Sequence, residues 1–392
     1  MEVTVNVSAP PLTNPRHAQP PEYLPAIATS SSPHRTLAVG VIGPGRVGSA
    51  LLGQVRVAQS RLQRDMGLKL QLRGVATRQR MWLDCDDPEL DARDGAQTWR
   101  PADLGAFADH VHEDGRAALL VDCSASEDVA SRYPLWLAAG IHVVTPNKLA
   151  GSGSLDRWRT IRAACAGGAR LRYETTVCAG LPVIQTLRDL LDTGDELLGI
   201  EGMFSGTLAW LCNRHDGQQP FSALLREAHA LGYTEPDPRE DLSGIDVARK
   251  LVILAREAGR ALSLEDVEIE SLLPPPLATL STEAFMQRAY ELDEPLAAWL
   301  TRAQIANGVL RHVGSLDRHG RARVRLAILP SNHPFAHTRL TDNVVQFRTQ
   351  RYRDNPLLVQ GPGAGPEVTA AGVFADVLRI AETLAVSSCA PP

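Results

Sequence analysis

Short apolar runs alternate with amphipathic segments along the first part of the chain, beginning near Leu37. The runs have the length and composition of buried strands, and they read LAVGVIG, LKLQLRGVATR, AALLVDCS and IHVVT. Segments with helical periodicity lie between them, at about 46–64, 101–109 and 126–139. Apolar strands that alternate with helices are typical of an α/β fold with a doubly wound parallel sheet.

The pattern changes after residue 168 to strands that are followed by helices. LRYETTV and ELLGIEGMF are predicted as strands, and VLRHVGSLDRHGRARVRLAIL predicts a hairpin that turns at His319-Gly320. Helices are predicted at LPVIQTLRDLLD, 221–231, 242–258 and 281–311. The helix over 242–258 would end at Gly259 and bury one face, formed by Ile245, Ala248, Val252 and Ala255. This order predicts an α+β second domain.

We expect the chain to divide into a tail and two domains. Residues 1–35 hold seven prolines and a run of serines, so they are predicted to be a disordered tail. Residues 36–168 would form the first domain, completed by segment 358–388, in which the turn GPGAG opens a helix. Residues 169–357 would form the second domain. The charged, turn-rich stretch at 82–96 is predicted to be a surface excursion.

Composition and charge exclude several classes of function. The net charge of −5 and the aromatic content of 5% argue against a nucleic-acid partner, which needs a basic face and stacking side chains. No apolar run reaches the ~18 residues of a membrane helix, and the N-terminus lacks the pattern of a signal peptide. Six scattered cysteines without a C-x-x-C pair indicate reduced thiols rather than a zinc site. We therefore expect a cytoplasmic protein that acts on a small molecule, with no membrane partner.

A glycine-rich turn follows the first predicted strand and opens the first helix. It reads Gly43-Pro44-Gly45-Arg46-Val47-Gly48, which fits the pattern G-x-G-x-x-G. Gly43 allows a tight turn, Gly45 lets the backbone approach a pyrophosphate, and Gly48 lets the helix pack on the sheet. Free N–H groups at the start of the helix favour an anion there. The turn therefore predicts a dinucleotide site in a Rossmann-type domain.

The residue after the second strand indicates which dinucleotide binds. An acidic residue there accepts from the ribose 2′-hydroxyl of NAD, whereas an arginine suits the 2′-phosphate of NADP. The second strand ends Ala76-Thr77-Arg78 and carries no acid. NADP(H) is therefore favoured, and NAD(H) is the alternative if Arg78 is an ordinary exposed arginine.

Residues 232–250, GYTEPDPREDLSGIDVARK, concentrate acidic side chains on a stiff loop. Five carboxylates fall within twelve residues: Glu235, Asp237, Glu240, Asp241 and Asp246. Pro236 and Pro238 lack an N–H and restrict the residues before them, so no helix is expected before about Asp241 or Ser243. Massed carboxylates on a rigid loop indicate the binding of a cationic amine.

Two lysines complete this candidate site. Asp246 and Lys250 are four residues apart and therefore share one helix face, where the lysine can move a proton. A surface ion pair is the alternative interpretation. Lys148, in the turn TPNK, follows a strand of the parallel sheet, where ligand crevices form.

Longer stretches of the chain resemble one family. GYTEPDPREDLSGIDVARKLVILARE closely resembles the signature of homoserine dehydrogenase, most of all in the dehydrogenase half of bifunctional aspartokinase–homoserine dehydrogenases. The resemblance runs from about Leu37 to Leu384 and includes VDCSAS, HVVTPNKLA, YETTVCAGLPVI, FSGTLAWL, HPFAHTRLTDNVVQF and GPGAGPEVTAAGVFADVLR. It implies reversible reduction of L-aspartate 4-semialdehyde to L-homoserine with NADPH or NADH. It also implies a homodimer formed through a catalytic and dimerisation domain at 169–357.

The resemblance assigns roles to single residues. Lys250, Asp246 and Lys148 would be catalytic, and the sequence leaves open which lysine protonates the aldehyde oxygen. The amino-acid end of the substrate would be held by Glu235, Asp241, Tyr233, Gly206 and Thr207. The nicotinamide side of the cofactor would touch Ser124, Pro146, Lys148 and the GPGAG turn with Gly365.

The resemblance further implies a sodium site made of backbone carbonyls. These would come from Glu174, Val177, Ala179 and Leu181. Cys178 stands where the family usually has glycine, and a positive φ there would cost about 1 kcal/mol or more. A purely structural turn is the alternative.

Two other functions remain open from the residues alone. One is an NAD(P)-sensing protein without turnover, and the other is a dehydrogenase of a different amino-acid semialdehyde. Because the sequence shows no aspartokinase segment before Leu37 and no regulatory domain after Leu384, we expect weak or no inhibition by threonine.

Overall fold

The computed structural model describes residues 35–83 and 99–387. The predicted tail lies outside the described residues except for its last position, and so do residues 84–96 of the predicted surface excursion. The described chain forms two sheets, each with helices packed against it. Within these ranges no helix combines the length and the apolar character needed to cross a membrane.

The first sheet has seven strands. They are β1 (Arg35–Ile42), β2 (Leu68–Ala76), β3 (Arg80–Leu83), β4 (Arg100–Pro101), β5 (Ala118–Asp122), β6 (His142–Val144) and β7 (Leu171–Arg172). Their order is β4-β3-β2-β1-β5-β6-β7, with β3 and β4 antiparallel and the other five parallel. The direction of winding reverses between β1 and β5, so a ligand crevice opens at their carboxyl ends.

The second sheet has six strands, mostly antiparallel. They are β8 (Leu197–Met203), β9 (Glu268–Ile269), β10 (Gly308–Asp317), β11 (Ala322–Pro330), β12 (Asp342–Thr349) and β13 (Leu357–Pro362), in the order β13-β12-β8-β10-β11-β9. Strands β10 and β11 form the predicted hairpin, with Gly320 at φ +84°. The α+β prediction for this part is confirmed.

Fifteen α-helices lie in the described residues. They are α1 (Arg46–Met66), α2 (Leu104–His112), α3 (Glu127–Ser131), α4 (Tyr133–Ala138), α5 (Lys148–Ser152), α6 (Leu155–Ala164), α7 (Val183–Asp192), α8 (Gly206–Arg214), α9 (Phe221–Ala230), α10 (Pro238–Leu242), α11 (Ile245–Glu257), α12 (Pro275–Ala278), α13 (Thr282–Arg288), α14 (Asp293–Ile305) and α15 (Pro366–Ser387).

Helices cover both faces of the first sheet. On one face, Leu37 and Val41 of β1 pack with Leu51 of α1 and Val377 of α15. On the other face, α2 lies so close that a Cβ at Gly40 would be 2.7 Å from a Val111 methyl carbon. Because both faces are covered, the parallel strands are apolar throughout, and the doubly wound Rossmann-type prediction is confirmed.

Several predicted boundaries are wrong. The helix at 126–139 splits into α3 and α4, since Pro134 lies in the first turn of α4. The helix at 281–311 is interrupted and ends at Ile305, because residues from Gly308 form β10, which pairs with β8 and β11. In LRYETTV only Leu171–Arg172 is a strand, and Glu174–Thr176 form a 3-10 turn.

The expectation that the prolines exclude a helix before Asp241 is also wrong. Helix α10 begins at Pro238, the first helical position, where the missing N–H has no intrahelical partner to lose. The carboxylate of Asp237 caps this helix by accepting from the Arg239 N–H at 3.1 Å. Ile245 begins α11 and is 41% exposed rather than buried, whereas the other three predicted positions are buried.

Candidate active site

The three glycines of the first turn meet three different steric demands. Gly43 has φ +83°, and a Cβ there would lie 2.9 Å from the backbone nitrogen of Ser124. A Cβ at Gly48 would lie 2.4 Å from the carbonyl oxygen of Gly43. A Cβ at Gly45 would meet nothing within 4 Å, and no side chain caps α1 there. The N–H groups of Arg46 and Val47 therefore begin α1 on an open approach, as an anion site requires.

A crevice runs from this turn along the ends of β1, β2 and β5. Its lining includes Gly43, Arg78, Ser124 and Arg132. Asp103 also lines it, but that carboxylate is occupied in capping α2, accepting from Gly105 N–H at 2.8 Å and Ala106 N–H at 3.1 Å. Two arginines, Arg78 and Arg132, thus border the crevice near the end of β2.

The GPGAG turn lies beside the first helix. Gly365 has φ +120° and immediately precedes α15, whose first turn is tied to α1 by the Gln54 amide donating to the Glu367 carbonyl at 3.0 Å. Arg46 and Glu367 line one shallow groove. The two glycine turns predicted to hold the cofactor are therefore brought to neighbouring helices.

A buried hydrogen-bond network behind the crevice was missed from the sequence. Asp122, at the end of β5, accepts from the Tyr133 hydroxyl at 2.6 Å, the Asn147 amide at 3.1 Å and the Ser124 N–H at 2.8 Å. The Thr145 hydroxyl donates to the Asp122 carbonyl at 2.9 Å. Burial raises the pKa of Asp122. The network fixes the Ser124 loop against the turn that carries Pro146 and Lys148.

Asp246 binds both predicted catalytic lysines. Its Oδ1 lies 3.1 Å from Lys148 Nζ, and its Oδ2 lies 2.8 Å from Lys250 Nζ. Lys148 comes from the first helical position of α5, whose cap is the Asn147 side chain, and Lys250 comes from α11. Lys250 also donates to the Phe204 carbonyl at 2.6 Å. The chain holds only three lysines, and two of them meet here, a signal that the sequence analysis overlooked.

The charges in this cluster stabilise one another. Loss of water around Asp246 would raise its pKa, but the ammonium groups of Lys250 and Lys148 outweigh that effect and lower it. Burial likewise opposes the charge on Lys250, and Asp246 reverses the effect, so the pKa of Lys250 is raised. Lys250 therefore stays protonated, which a proton donor requires.

A second group of acidic side chains lies next to the lysines. Asp241 Oδ2 accepts from the Glu235 N–H at 2.9 Å, and the Thr207 hydroxyl donates to the Tyr233 carbonyl at 2.5 Å. Burial, together with the charges of Glu235 and Asp246, raises the pKa of Asp241 to about 6. Because burial is the main cause of the raised pKa of Asp241, an ammonium group bound beside this carboxylate would stabilise its charged form.

Gly206 and Tyr233 lie next to this acidic group, since Gly206 precedes Thr207 and the Tyr233 carbonyl accepts from the Thr207 hydroxyl. Gly206 begins α8, and a Cβ there would lie 3.2 Å from the Thr341 carbonyl, so the glycine permits close packing. The ring of Tyr233 is 44% exposed and lies 5.8 Å from that of Trp210. The predicted substrate residues are therefore near one another on the surface of the second unit.

Two of the five carboxylates in the acidic loop do not join the site. Asp237 forms an ion pair with Arg239 and accepts from the Thr282 hydroxyl at 3.2 Å. Glu240 is exposed and makes no ion pair with the described residues. The expectation that the massed carboxylates bind a cationic amine therefore applies to Glu235, Asp241 and Asp246, and not to Asp237 or Glu240.

The predicted cation loop contains two non-glycine residues with positive φ, a conformation that costs free energy for a residue with a side chain. Cys178 has φ +59° and Ala179 has φ +49°, the left-handed region that glycine prefers. The Glu174 carbonyl accepts from Val177 N–H at 3.2 Å, and the Leu181 carbonyl accepts from Val183 N–H at 2.8 Å. Cys178 is buried, and its sulfur accepts from the Asn343 amide at 3.3 Å.

Fold and site together define the class: a Rossmann-type dinucleotide-binding unit that carries Lys148, joined to an α+β unit that carries Lys250 and the acidic side chains. Residues 43–174 match the family model for the NAD binding domain of homoserine dehydrogenase, and residues 182–378 match the model for homoserine dehydrogenase itself. The chain belongs to the homoserine dehydrogenase family.

Curated relatives of two architectures support this membership. The chain is 46% identical over 362 residues to a chloroplastic bifunctional aspartokinase/homoserine dehydrogenase 2 of Zea mays, covering 90% of this chain and 39% of the relative. It thus spans about two-fifths of that protein's length. It is 42% identical over 371 residues to a homoserine dehydrogenase of Emericella nidulans, covering 88% of this chain and 98% of the relative.

A solved structure shares the fold. A hyperthermophilic archaeal homoserine dehydrogenase in complex with NADPH superposes with a TM-score of 0.67 at 22% identity, covering 88% of this chain and 97% of that one. At this identity the likeness concerns the arrangement of the two sheets.

Proposed function

We propose that this chain catalyses the reversible, NAD(P)H-dependent reduction of L-aspartate 4-semialdehyde to L-homoserine, in the branch toward threonine and methionine. The observation that carries the proposal is the double contact of Asp246 with Lys148 and Lys250, where α5 packs against α11. Membership of the family and the near-complete coverage of the Emericella nidulans relative support it.

The acidic pocket holds the amino-acid end of the substrate. Glu235 and Asp241 bind the α-ammonium, with Thr207 orienting the loop that carries Tyr233. The bound ammonium offsets the burial, and the weaker repulsion from Glu235 and Asp246, that raise the pKa of Asp241. A four-carbon substrate whose ammonium group is bound here would extend its aldehyde group toward the lysines.

Lys250 is the proton donor in this proposal. A bound nicotinamide would supply hydride to the aldehyde carbon, and the Lys250 ammonium gives a proton to the oxygen, so that the carbonyl becomes an alcohol. Asp246 holds the donor in place, and the nearby positive charges stabilise the developing alkoxide. Lys148 is 35% exposed at its side chain, against 9% for Lys250, and is therefore the better placed to restore the proton from water.

NADP(H) is the preferred cofactor in this proposal. The open backbone at Gly45 and the uncapped start of α1 fit a pyrophosphate. Arg78 and Arg132 line the crevice next to the end of β2, where a guanidinium matches a 2′-phosphate. NADPH is the ligand named for the archaeal structure with the same fold.

A monovalent cation, sodium by resemblance, would bind the loop at 174–181. Two consecutive left-handed residues turn the peptide groups of Val177 and Ala179 away from the regular pattern, as a carbonyl cage needs. Burial and then the charge of Asp376 raise the pKa of Glu174 to about 7. A cation beside this buried carboxylate pair would relieve that repulsion.

A homodimer would form through the second sheet. A shallow hollow on that sheet is lined by Glu201, Ser315 and Gln346 from three adjacent strands. Leu358, opposite Gln346 on β13, is 41% exposed. An open sheet face of this kind suits a second copy, and sedimentation of a Leu358→Arg variant tests it: a shift to monomer is expected.

The domain division follows the sheets in this proposal. Strand β7 pairs in the first sheet and β13 pairs in the second, so the second domain would span about 173–362. Helix α15 returns to the first domain beside α1. A cytoplasmic location and weak inhibition by threonine stay predictions of the sequence.

One assay tests the reaction directly. Consumption of NADPH by the pure chain is followed with L-aspartate 4-semialdehyde and, in parallel, with the one-carbon-longer L-glutamate 5-semialdehyde. Turnover with the first substrate at ten times or more the efficiency of the second is expected. Binding of NADPH without turnover of either aldehyde would favour the NAD(P)-sensing alternative. Faster turnover of the longer aldehyde would favour a dehydrogenase of a different amino-acid semialdehyde.

A further inference from the structure

Four arginines surround a groove at the far edge of the first sheet. It lies beside β7, the last strand in the sheet order, and receives side chains from α6, β7, α7 and the end of α11. Its charged lining consists of Arg162, Arg170, Arg172, Arg188, Asp192 and Glu257. We call this set the arginine groove. Strands β5 and β6 separate it from β1 and hence from the cofactor crevice.

Three of the four arginines in the arginine groove form no ion pair with a described carboxylate. Glu257 is engaged by Arg188, with Nε 2.5 Å from Oε1, and by the Tyr173 hydroxyl. Arg172 donates to the neutral Gln185 amide oxygen at 3.1 Å. Among the residues the structure describes, no carboxylate lies within ion-pair distance of Arg162, Arg170 or Arg172, and Asp192 pairs with none of them.

Neighbouring groups respond to this uncompensated charge. Burial lowers the pKa of Arg172, and the charges of Arg188, Arg379 and Arg170 lower it further, opposed by Asp376. Burial lowers the pKa of His142 to about 4, and Arg170 adds to the effect. Arg162 and Arg170 are exposed, so water solvates part of this charge, and an anion that binds between the guanidinium groups would offset the repulsion at Arg172.

The shape of the arginine groove suits a small ligand. It offers about 540 Å³, within the usual range for small-molecule sites. A guanidinium presents a planar fork that matches phosphate oxygens in pairs, and several forks around one concavity favour a ligand with two or more negative charges.

We propose that the arginine groove is a binding site for a small polyanion of the phosphate class, separate from the cofactor crevice. Arg170 and Arg172 form its centre, because Arg170 immediately precedes β7, Arg172 lies in it, and neither forms an ion pair with a described carboxylate. Glu257 is the last residue of α11 and lies about two helical turns after Lys250, so one helix connects the arginine groove to the candidate proton donor.

Inorganic pyrophosphate is the probe, titrated calorimetrically into the full chain at constant ionic strength. Titrations are run with and without saturating NADPH, whose own binding is first measured by fluorescence. One pyrophosphate site that NADPH does not displace is expected. The double variant Arg170→Gln/Arg172→Gln should weaken that site about tenfold or more, whereas Arg170→Lys/Arg172→Lys should weaken it less.

The control is Arg61→Gln/Arg226→Gln, which removes the same charge from exposed positions outside the groove. Thermal unfolding of every variant shows that it is folded. Equal binding by the groove variant and the control would overturn the proposal, as would loss of all pyrophosphate binding on adding NADPH. Tighter binding of citrate than of pyrophosphate would overturn the phosphate assignment. Failure of NADPH to bind would count against the proposed reaction. The anion site would then be tested by comparing pyrophosphate binding of the groove variants and the control.

Discussion

Lys148 Nζ lies 3.1 Å from Asp246 Oδ1, and this contact joins the first helical turn after β6 to the helix of the second unit. It places the end of a parallel strand, where dinucleotide crevices form, against the helix that carries Lys250. The two units thus meet through charges that the proposed reaction needs.

Replacing Lys250 by methionine should remove most of the turnover. Methionine fills the buried space but carries no proton, so kcat should fall by about 10²- to 10⁴-fold, as is typical for loss of a general acid. NADPH binding, measured by fluorescence, should be unchanged. Lys69→Met is the matched control, because it changes the one remaining lysine, which is exposed on β2.

The Lys148→Met variant tests which of the two lysines is the proton donor. If Lys250 is the donor, the Lys148 variant should keep more activity than the Lys250 variant, because Asp246 still orients the donor. The reverse order of kcat values would make Lys148 the donor.

Substrate affinity should depend on the ionisation of Asp241. Its pKa in the folded chain is about 6, raised by burial above the ~3.9 of an unfolded chain. The ionised form therefore costs stability, a cost absent below about pH 4 and complete above about pH 6 to 7. The substrate ammonium can form an ion pair with Asp241 only when this carboxylate is ionised. Because the ionised fraction increases from pH 5 to 7, kcat/KM should rise over the same range.

Asp241→Asn is the test of this assignment. The variant should lose the rise between pH 5 and 7 and show a higher KM throughout. An unchanged pH profile would mean that another group controls binding.

Arg78→Glu should reverse the cofactor preference. A carboxylate at the end of β2 repels a 2′-phosphate and accepts from a 2′-hydroxyl, so KM for NADPH should rise about tenfold or more while that for NADH falls or holds. Steady-state rates with both cofactors measure this. Arg61→Glu, on the exposed side of α1, should leave the ratio as it is.

The backbone at Cys178 gives a stability prediction. Cys178→Ala removes the sulfur but keeps a Cβ at φ +59°, whereas Cys178→Gly removes both. The glycine variant should therefore be more stable than the alanine variant by about 1 kcal/mol. Urea unfolding of the two measures the difference, and the opposite order would show that the loop relaxes around a side chain.

The sequence correctly predicted those features of the fold and the site in which residues close in sequence are also close in space. The glycine turn at 43–48 could be predicted because it directly follows a strand and opens a helix. The pair Asp246–Lys250 could be predicted because residues four apart on a helix are neighbours. The Asp122 network was missed because β5 and β6 become neighbours only when the sheet forms. Asp237 was misassigned because its role as a helix cap, paired with Arg239, competed with a role in the site.

The position of α15 has a consequence for biosynthesis. The face of β1 that packs on α1 also needs Val377, more than 300 residues later in the chain. A ribosome-bound chain therefore leaves that apolar surface open until α15 has emerged, so the nucleotide half should mature after the second sheet and depend more than that sheet on chaperones.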